Sequence, residues 1–86
     1  MNGAYRLIVQ TSARRDLSRF SGNILRQLED AIQELAAQPR GVNTKKLHGA
    51  KNKYRKRSGN YRILYEINDA AREVFITHVV DRKDAY

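Results

Sequence analysis

Arg55, Arg57 and Arg62 stand in the run Tyr54-Arg55-Lys56-Arg57-Ser58-Gly59-Asn60-Tyr61-Arg62. They meet if that run is a hairpin. Glycine takes the positive φ of a two-residue turn at no steric cost, so Gly59 and Asn60 are read as the loop. Ser58 then pairs with Tyr61, Arg57 with Arg62 and Arg55 with Leu64. Side chains alternate along a strand and directly paired residues share a face. The three guanidiniums therefore gather on one face, and Tyr54, Tyr61, Ile63, Tyr65 and Ile67 on the other. Like charges placed opposite each other destabilise a sheet by a fraction of a kcal/mol to about 1 kcal/mol per pair. A phosphate among them reverses that sign, because arginine presents a planar donor fork to its oxygens. The plainer reading is a solvated outer face whose arginines bind nothing in particular. The same register turns Lys56 toward the core side, from which it would have to snorkel.

Arg, Lys and Tyr suit one reaction in particular, cleavage of RNA by its own 2′-hydroxyl. Cations stabilise the pentavalent phosphate and a polar group relays the protons. RNA is implied over DNA because only RNA carries the internal nucleophile. Other chemistries lack their parts. There is no cysteine, hence no thiolate nucleophile or thiolate metal site. Glu66, Asp69, Glu73, Asp81 and Asp84 are scattered without a second ligand set, so neither a metal nor any other cofactor is expected. His48 falls in a loop and His78 on the last strand, at no telling spacing, and each reads as a structural histidine. No glycine-rich phosphate loop or serine triad stands out.

The elements that must position these residues follow from periodicity. Tyr5 to Gln10 is β-prone, with Tyr5, Leu7 and Val9 on its apolar face. Thr11 or Ser12 supplies an N-cap for a short helix over 12–20, with Ala13, Leu17 and Phe20 at i, i+4, i+7 and Asp16 complementing the dipole. Ser21-Gly22-Asn23 interrupts it. Ile24 to Gln38 is the clearest helix, its stripe formed by Ile24, Leu25, Leu28, Ile32 and Leu35, and Pro39 ends it. Arg40 to Lys53 keeps no period and reads as a loop around Leu47. Strands follow over Tyr54–Ser58, Tyr61–Asn68 and Glu73–Val80, with a turn at Asp69–Arg72. The expected fold is a single α+β domain spanning residues 1–86 in the order β-α-α-β-β-β, a helical hairpin packed on one face of a mostly antiparallel, twisted sheet.

Charge sharpens the location. Of the 17 Lys and Arg in 86 residues, nine lie between Arg40 and Arg62, where there is no Asp or Glu. The rest of the chain is near neutral, so this segment carries the net charge of +8. A pI near 10.2 points to nucleic acid, an anionic membrane surface or an acidic protein, with nucleic acid ahead. The composition, 41% hydrophobic and 30% charged, is that of an ordinary globular protein. No signal peptide or run of roughly 20 apolar residues is visible, so a cytoplasmic protein without a membrane partner is expected.

Beyond the hairpin, Lys46-Leu47-His48-Gly49 reads K-L-x-G, and the hairpin itself reads Y-R-x-R-x-G-x-Y-R-I-L-Y-E-I from Tyr54 to Ile67. The final stretch His78-Val79-Val80-Asp81-Arg82-Lys83-Asp84-Ala85-Tyr86 ends in R-x-x-x-Y. Together with the element order, this pattern resembles the RelE/ParE superfamily of toxin–antitoxin toxins across essentially the whole chain. The resemblance implies a fold like a microbial ribonuclease. For the RelE branch it implies ribosome-dependent, metal-independent cleavage of mRNA in the A site and inhibition of translation. It also implies a neutralising antitoxin that engages the toxin through an amphipathic helix, operator DNA reached only through that antitoxin, and a prokaryotic cytoplasm. Carried onto this chain, the catalytic set is Arg55, Arg57, Arg62, Arg82 and Tyr86. Arg62 and Arg82 would hold the scissile phosphate, and Tyr86 would stack on or orient a base or take part in proton transfer. Lys45, Lys46, Lys51 and Lys53, with Lys56, would grip ribosomal RNA. Some members carry lysine where Arg55 and Arg57 stand, and lysine can serve as a base. Arginine stays protonated, which leaves the proton acceptor open. Asp81, where many relatives have histidine, is either that acceptor or the partner of a neighbouring arginine. Two further readings share these features: a ParE-like gyrase poison, and a basic nucleic-acid-binding module with no catalytic activity.

Overall fold

The computed structural model describes residues 4–49 and 51–84, with Asp84 described by its backbone alone. The elements are β1 (Arg6–Val9), α1 (Thr11–Leu17), α2 (Gly22–Ala37), β2 (Thr44–Lys46), β3 (Lys53–Ser58), β4 (Tyr61–Asn68), β5 (Glu73–Asp81) and a closing 3₁₀ turn, Arg82–Asp84. The strands form one sheet in the order β1-β5-β4-β3-β2. β1 runs parallel to β5, and every other pairing is antiparallel. This is the expected α+β architecture with one strand added. β2 lies in the stretch read as a loop, because three residues are too few to display alternation. Asn43, at φ +64, turns the chain back along β3, and the lysines of β2 blunt an otherwise open sheet edge.

The hairpin register is the one expected: Ser58 opposite Tyr61, Arg57 opposite Arg62, Arg55 opposite Leu64. Gly59 takes φ +58 while Asn60 stays out of the left-handed region, the pattern of a type II′ turn. Alternation then builds the core. Tyr54, Ile63, Tyr65 and Ile67 of the hairpin and Val74, Ile76 and Val79 of β5 are buried against Leu28, Ala31, Ile32 and Leu35 of α2 and Ala13 of α1. Tyr65 stacks on Tyr54 with ring centroids 5.7 Å apart and donates its hydroxyl to the Pro39 carbonyl at 2.6 Å. Burial pushes its phenol up to about 12. Ile24, expected on the buried stripe, is instead 42% exposed. It sits in the first turn of α2, and Ala31 is buried on that face.

α1 differs more from expectation. It begins at Thr11 and closes at Leu17, and its N-cap residue, Gln10, makes no side-chain cap. Ser12 Oγ donates to the Thr77 carbonyl at 2.6 Å, and Asp16 Oδ2 accepts from Val79 N at 2.9 Å. β1 pairs only with residues 73–76 of β5, so residues 77–79 would otherwise present an open edge. The polar side chains expected to cap α1 satisfy that edge instead. At the opposite end, Arg40 binds both oxygens of Asp69 at 3.1 and 2.8 Å, and the Tyr5 hydroxyl donates to Asp69 Oδ1 at 2.6 Å. Arg40 holds the Asp69 carboxyl down to about 2. No helix of the described residues is long and apolar enough to cross a membrane.

Candidate functional site

The helices cover one face of the sheet, and the other face carries the charge. Strand pairing arranges that face in rows across β3, β4 and β5. Arg57, Arg62 and Val80 form one row; Arg55, Leu64 and His78 the next; Lys53, Glu66 and Phe75 the third. Lys45 of β2 extends the second row, opposite Arg55. Arg82 arrives from the other end of the chain: its backbone N–H bonds the Asn60 carbonyl at 2.8 Å, fixing the 3₁₀ turn against the hairpin tip.

Arg62 is the centre of this cluster. The residue is only 7% exposed. Its Nη1 donates to the Tyr61 carbonyl at 3.2 Å, and its Nε is buried with no hydrogen-bond partner among the described residues. Burial first, and then the positive charges of Arg55, Arg57 and Arg82, lower its pKa from the ordinary arginine value. A guanidinium does not lose its proton under these conditions, so the cost stays in the fold as an uncompensated charge. An oxyanion delivered to this face would be attracted by all four arginines.

The structure brings together Arg55, Arg57, Arg62 and Arg82 of the residues singled out from the sequence. Tyr86 lies outside the described residues. Lys45 and Lys53 share the arginine face, Lys53 with its Nζ 3.9 Å from Glu66, while Lys46, opposite Tyr54, is exposed on the helix side and Lys51 is exposed in the loop before β3. Lys56 is a correction to the proposed RNA-gripping set. It is 3% exposed on the helix side, where Nζ sits 2.9 Å from Glu34 Oε1 and donates to the Val42 carbonyl at 3.1 Å. β2 covers β3, so Lys56 has no open edge to snorkel over. Asp81 is paired with Tyr61, which packs on Phe20, and so belongs to the helix side. Its Oδ1 accepts from Lys83 N at 3.2 Å, shaping the turn that delivers Arg82. Among the described residues, no group of three or more His, Asp or Glu side chains is placed to hold a metal ion.

Sequence reasoning set His78 aside, yet it lies on the arginine face beside Arg62. Its Nδ1 is 3.2 Å from Asp16 Oδ2. The signal was available in the strand parity of His78 and Val80. What hid it was the extra residue in β5, where the register shifts opposite Leu64 and Tyr65, and the unforeseen partner on α1.

Comparison with known proteins agrees with this geometry. Residues 6–86 match the family described as ParE toxin of type II toxin-antitoxin system, parDE. Toxin RelG of Mycobacterium tuberculosis is 34% identical over 83 residues, which is 95% of this chain and 95% of RelG. A chain of the toxin–antitoxin complex RelBE2 from Mycobacterium tuberculosis superposes with a TM-score of 0.83 at 30% identity, covering 98% of each chain. The isolated RelE toxin of E. coli superposes with a TM-score of 0.79 at 25% identity, over 91% of this chain and 84% of that one. The chain belongs to the RelE/ParE superfamily of type II toxin–antitoxin toxins.

Proposed function

We propose that this toxin is an endoribonuclease that cuts mRNA in the A site of the translating ribosome. The observation that carries the reading is Arg62, a buried guanidinium with an unpartnered Nε among Arg55, Arg57 and Arg82. Such a site is costly when empty and favourable when filled by a phosphodiester. In the proposed reaction the mRNA 2′-oxygen attacks the adjacent phosphorus. Arg62 and Arg82 donate to the non-bridging oxygens as negative charge builds on them, and Arg55 and Arg57 add to the positive field. That preorganised charge is the role a metal would otherwise serve, so the reaction needs none from solution. Lys45, Lys46, Lys51 and Lys53 supply sequence-independent contacts to ribosomal phosphates. Tyr86 is assigned to the base next to the scissile bond.

The partners that follow are the ribosome with its mRNA, and a cognate antitoxin. RelE-type relatives have been crystallised with RelB antitoxins, and an amphipathic antitoxin helix is the expected neutralising element here, with operator DNA bound through the antitoxin. A ribosomal target puts the protein in the cytoplasm of a prokaryote. The test is to add purified toxin to a translation reaction and map mRNA ends by primer extension. Cuts within ribosome-covered codons, leaving 5′-hydroxyl ends, and intact mRNA without ribosomes are expected. Uncut mRNA under active translation would sink the proposal.

A second reading, a gyrase poison, is favoured by the match to the ParE family. A supercoiling assay separates the two: a poison traps gyrase–DNA cleavage complexes, whereas the ribonuclease leaves supercoiling untouched.

A further inference from the structure

We infer that His78, oriented by Asp16, accepts the 2′-hydroxyl proton, an assignment that rests on the ribonuclease reading above. The arginine cluster can stabilise a phosphorane but cannot start the reaction, since arginine remains protonated. A proton acceptor must lie on the same face within reach of a phosphate bound at Arg62. Three carboxylate or imidazole candidates stand on β4 and β5 among the described residues. Asp81 is paired with Tyr61 on the helix side and caps Lys83 N. Glu66 is on the right face but four residues along β4 from Arg62, roughly 13 Å at the rise of a strand, and it faces Lys53. His78 is opposite Leu64, diagonal to Arg62. Diagonal neighbours on paired strands lie roughly 7–8 Å apart, a gap that one phosphodiester and its ribose fill.

The surroundings of His78 suit the role. Its side chain is 52% exposed, while that of Asp16 is 13% exposed. Asp16 Oδ2 is fixed by Val79 N at 2.9 Å and lies 3.2 Å from His78 Nδ1. With Nδ1–H donating to the carboxylate, Nε2 carries the lone pair and faces outward to the substrate. A largely buried carboxylate that orients an exposed imidazole is the arrangement by which bases are held in one tautomer. In the step itself, the 2′-oxygen forms its bond to phosphorus and its proton passes to Nε2. The P–O5′ bond breaks, and the leaving 5′-oxygen takes a proton from water. The products are a 2′,3′-cyclic phosphate and a 5′-hydroxyl, and the imidazolium returns its proton to solvent.

The charged groups around His78 are Asp16, with Arg19 just past α1 placing its Nη2 4.0 Å from Asp16 Oδ1, and Arg62 and Glu66 diagonal on β4. Cleavage falls as pH drops and His78 protonates before it can act.

The experiment is single-turnover mRNA cleavage on programmed ribosomes across pH, with ribosome binding measured in parallel. His78→Ala is expected to slow cleavage about 100-fold or more, to abolish the acid limb and to leave binding in place, with added imidazole restoring part of the rate. Asp16→Asn keeps an acceptor for Val79 N but removes the charge. It should slow cleavage about tenfold, the lower end of what a lost orienting partner typically costs, and move the acid limb to lower pH. His78→Ala cutting within about threefold of wild type, or losing activity with the acid limb intact and no imidazole rescue, would overturn the assignment. Wild-type toxin that cuts nothing on ribosomes would instead overturn the ribonuclease reading, and is distinguishable because no variant is involved.

Discussion

Replacing Arg62 by methionine separates a residue kept for an anion from one kept for the fold. Methionine is of similar length and needs no partner at the buried Nε position. Three neighbouring guanidiniums act on Arg62. At roughly 7 Å and an effective dielectric constant of about 20, each repels it by about 2.4 kcal/mol, and physiological salt, with a Debye length of about 8 Å, cuts this to about 1 kcal/mol. Relief of the cluster is therefore worth about 3 kcal/mol. Against it stands the bond from Nη1 to the Tyr61 carbonyl, worth about 1.5–3 kcal/mol for a charged donor. The balance lies between zero and about 1.5 kcal/mol in favour of the variant, and at about 4–8 °C per kcal/mol for a domain of this size the melting temperature should hold or rise by up to about 10 °C. Cleavage should fall at least about 100-fold, the magnitude typical of losing one transition-state donor. Phosphate gives an independent arm: an anion at 100 times its Kd stabilises a folded protein by about 2.7 kcal/mol, so phosphate should raise the melting temperature of wild type more than that of Arg62→Met. Paired calorimetry and single-turnover cleavage decide the matter. A melting temperature lowered by more than about 5 °C, or an unchanged phosphate response, would show that Arg62 serves the fold and refute the reasoning.

The other predictions concern the frame that holds the site. Lys56→Met should be close to neutral in urea unfolding, because an apolar replacement for a buried ammonium removes charge and partner requirement together. Glu34→Gln should cost about 1 kcal/mol, well below the roughly 3–5 kcal/mol of a fully buried broken pair, since Glu34 is the exposed partner and water can replace it. Asp69, held at about 2 by Arg40 and Tyr5, contributes stability present above the ordinary carboxylate range. That contribution is lost as pH falls from about 4 toward about 2, and Asp69→Asn should flatten the urea-midpoint profile there. Gly59→Ala should cost about 1–2 kcal/mol, because Gly59 sits at φ +58 and an added Cβ would lie 2.9 Å from Gln27 Nε2; a change below about 0.3 kcal/mol would mean the turn relaxes to another type.

The hairpin was legible because three signals coincide in one short run: a glycine that fixes the turn, alternation that fixes the faces, and a sign of charge that marks the outer face. α2 was legible for the same reason, its period ending at Pro39. The parts that escaped are those set by contacts distant in sequence. β2 exists because Asn43 reverses the chain onto β3, and nothing within Thr44–Lys46 announces a strand. Asp16 looked like a helix-dipole residue because its true partners, Val79 N and His78 Nδ1, lie 63 and 62 positions away. Lys56 was placed correctly by parity and assigned wrongly by charge, since a local count of lysines does not reveal Glu34 on the helix packed over it.

The arginine cluster persists because the opposite face of the same two strands outweighs it. The register that sets Arg57 against Arg62 also sets Lys56 against Ile63 and Tyr54 against Tyr65. A slip by one residue would turn the arginines away from each other's face only by exposing Ile63, Tyr65 and Ile67, which are buried. Each fully buried side chain of this kind contributes about 1.5–3 kcal/mol, so the three together exceed the roughly 3 kcal/mol of screened repulsion estimated above. The core thus holds four like charges at fixed positions before any anion arrives. A phosphate reaching that face would meet positive charge already in place, and the free energy that would have gone into assembling it is already spent in folding.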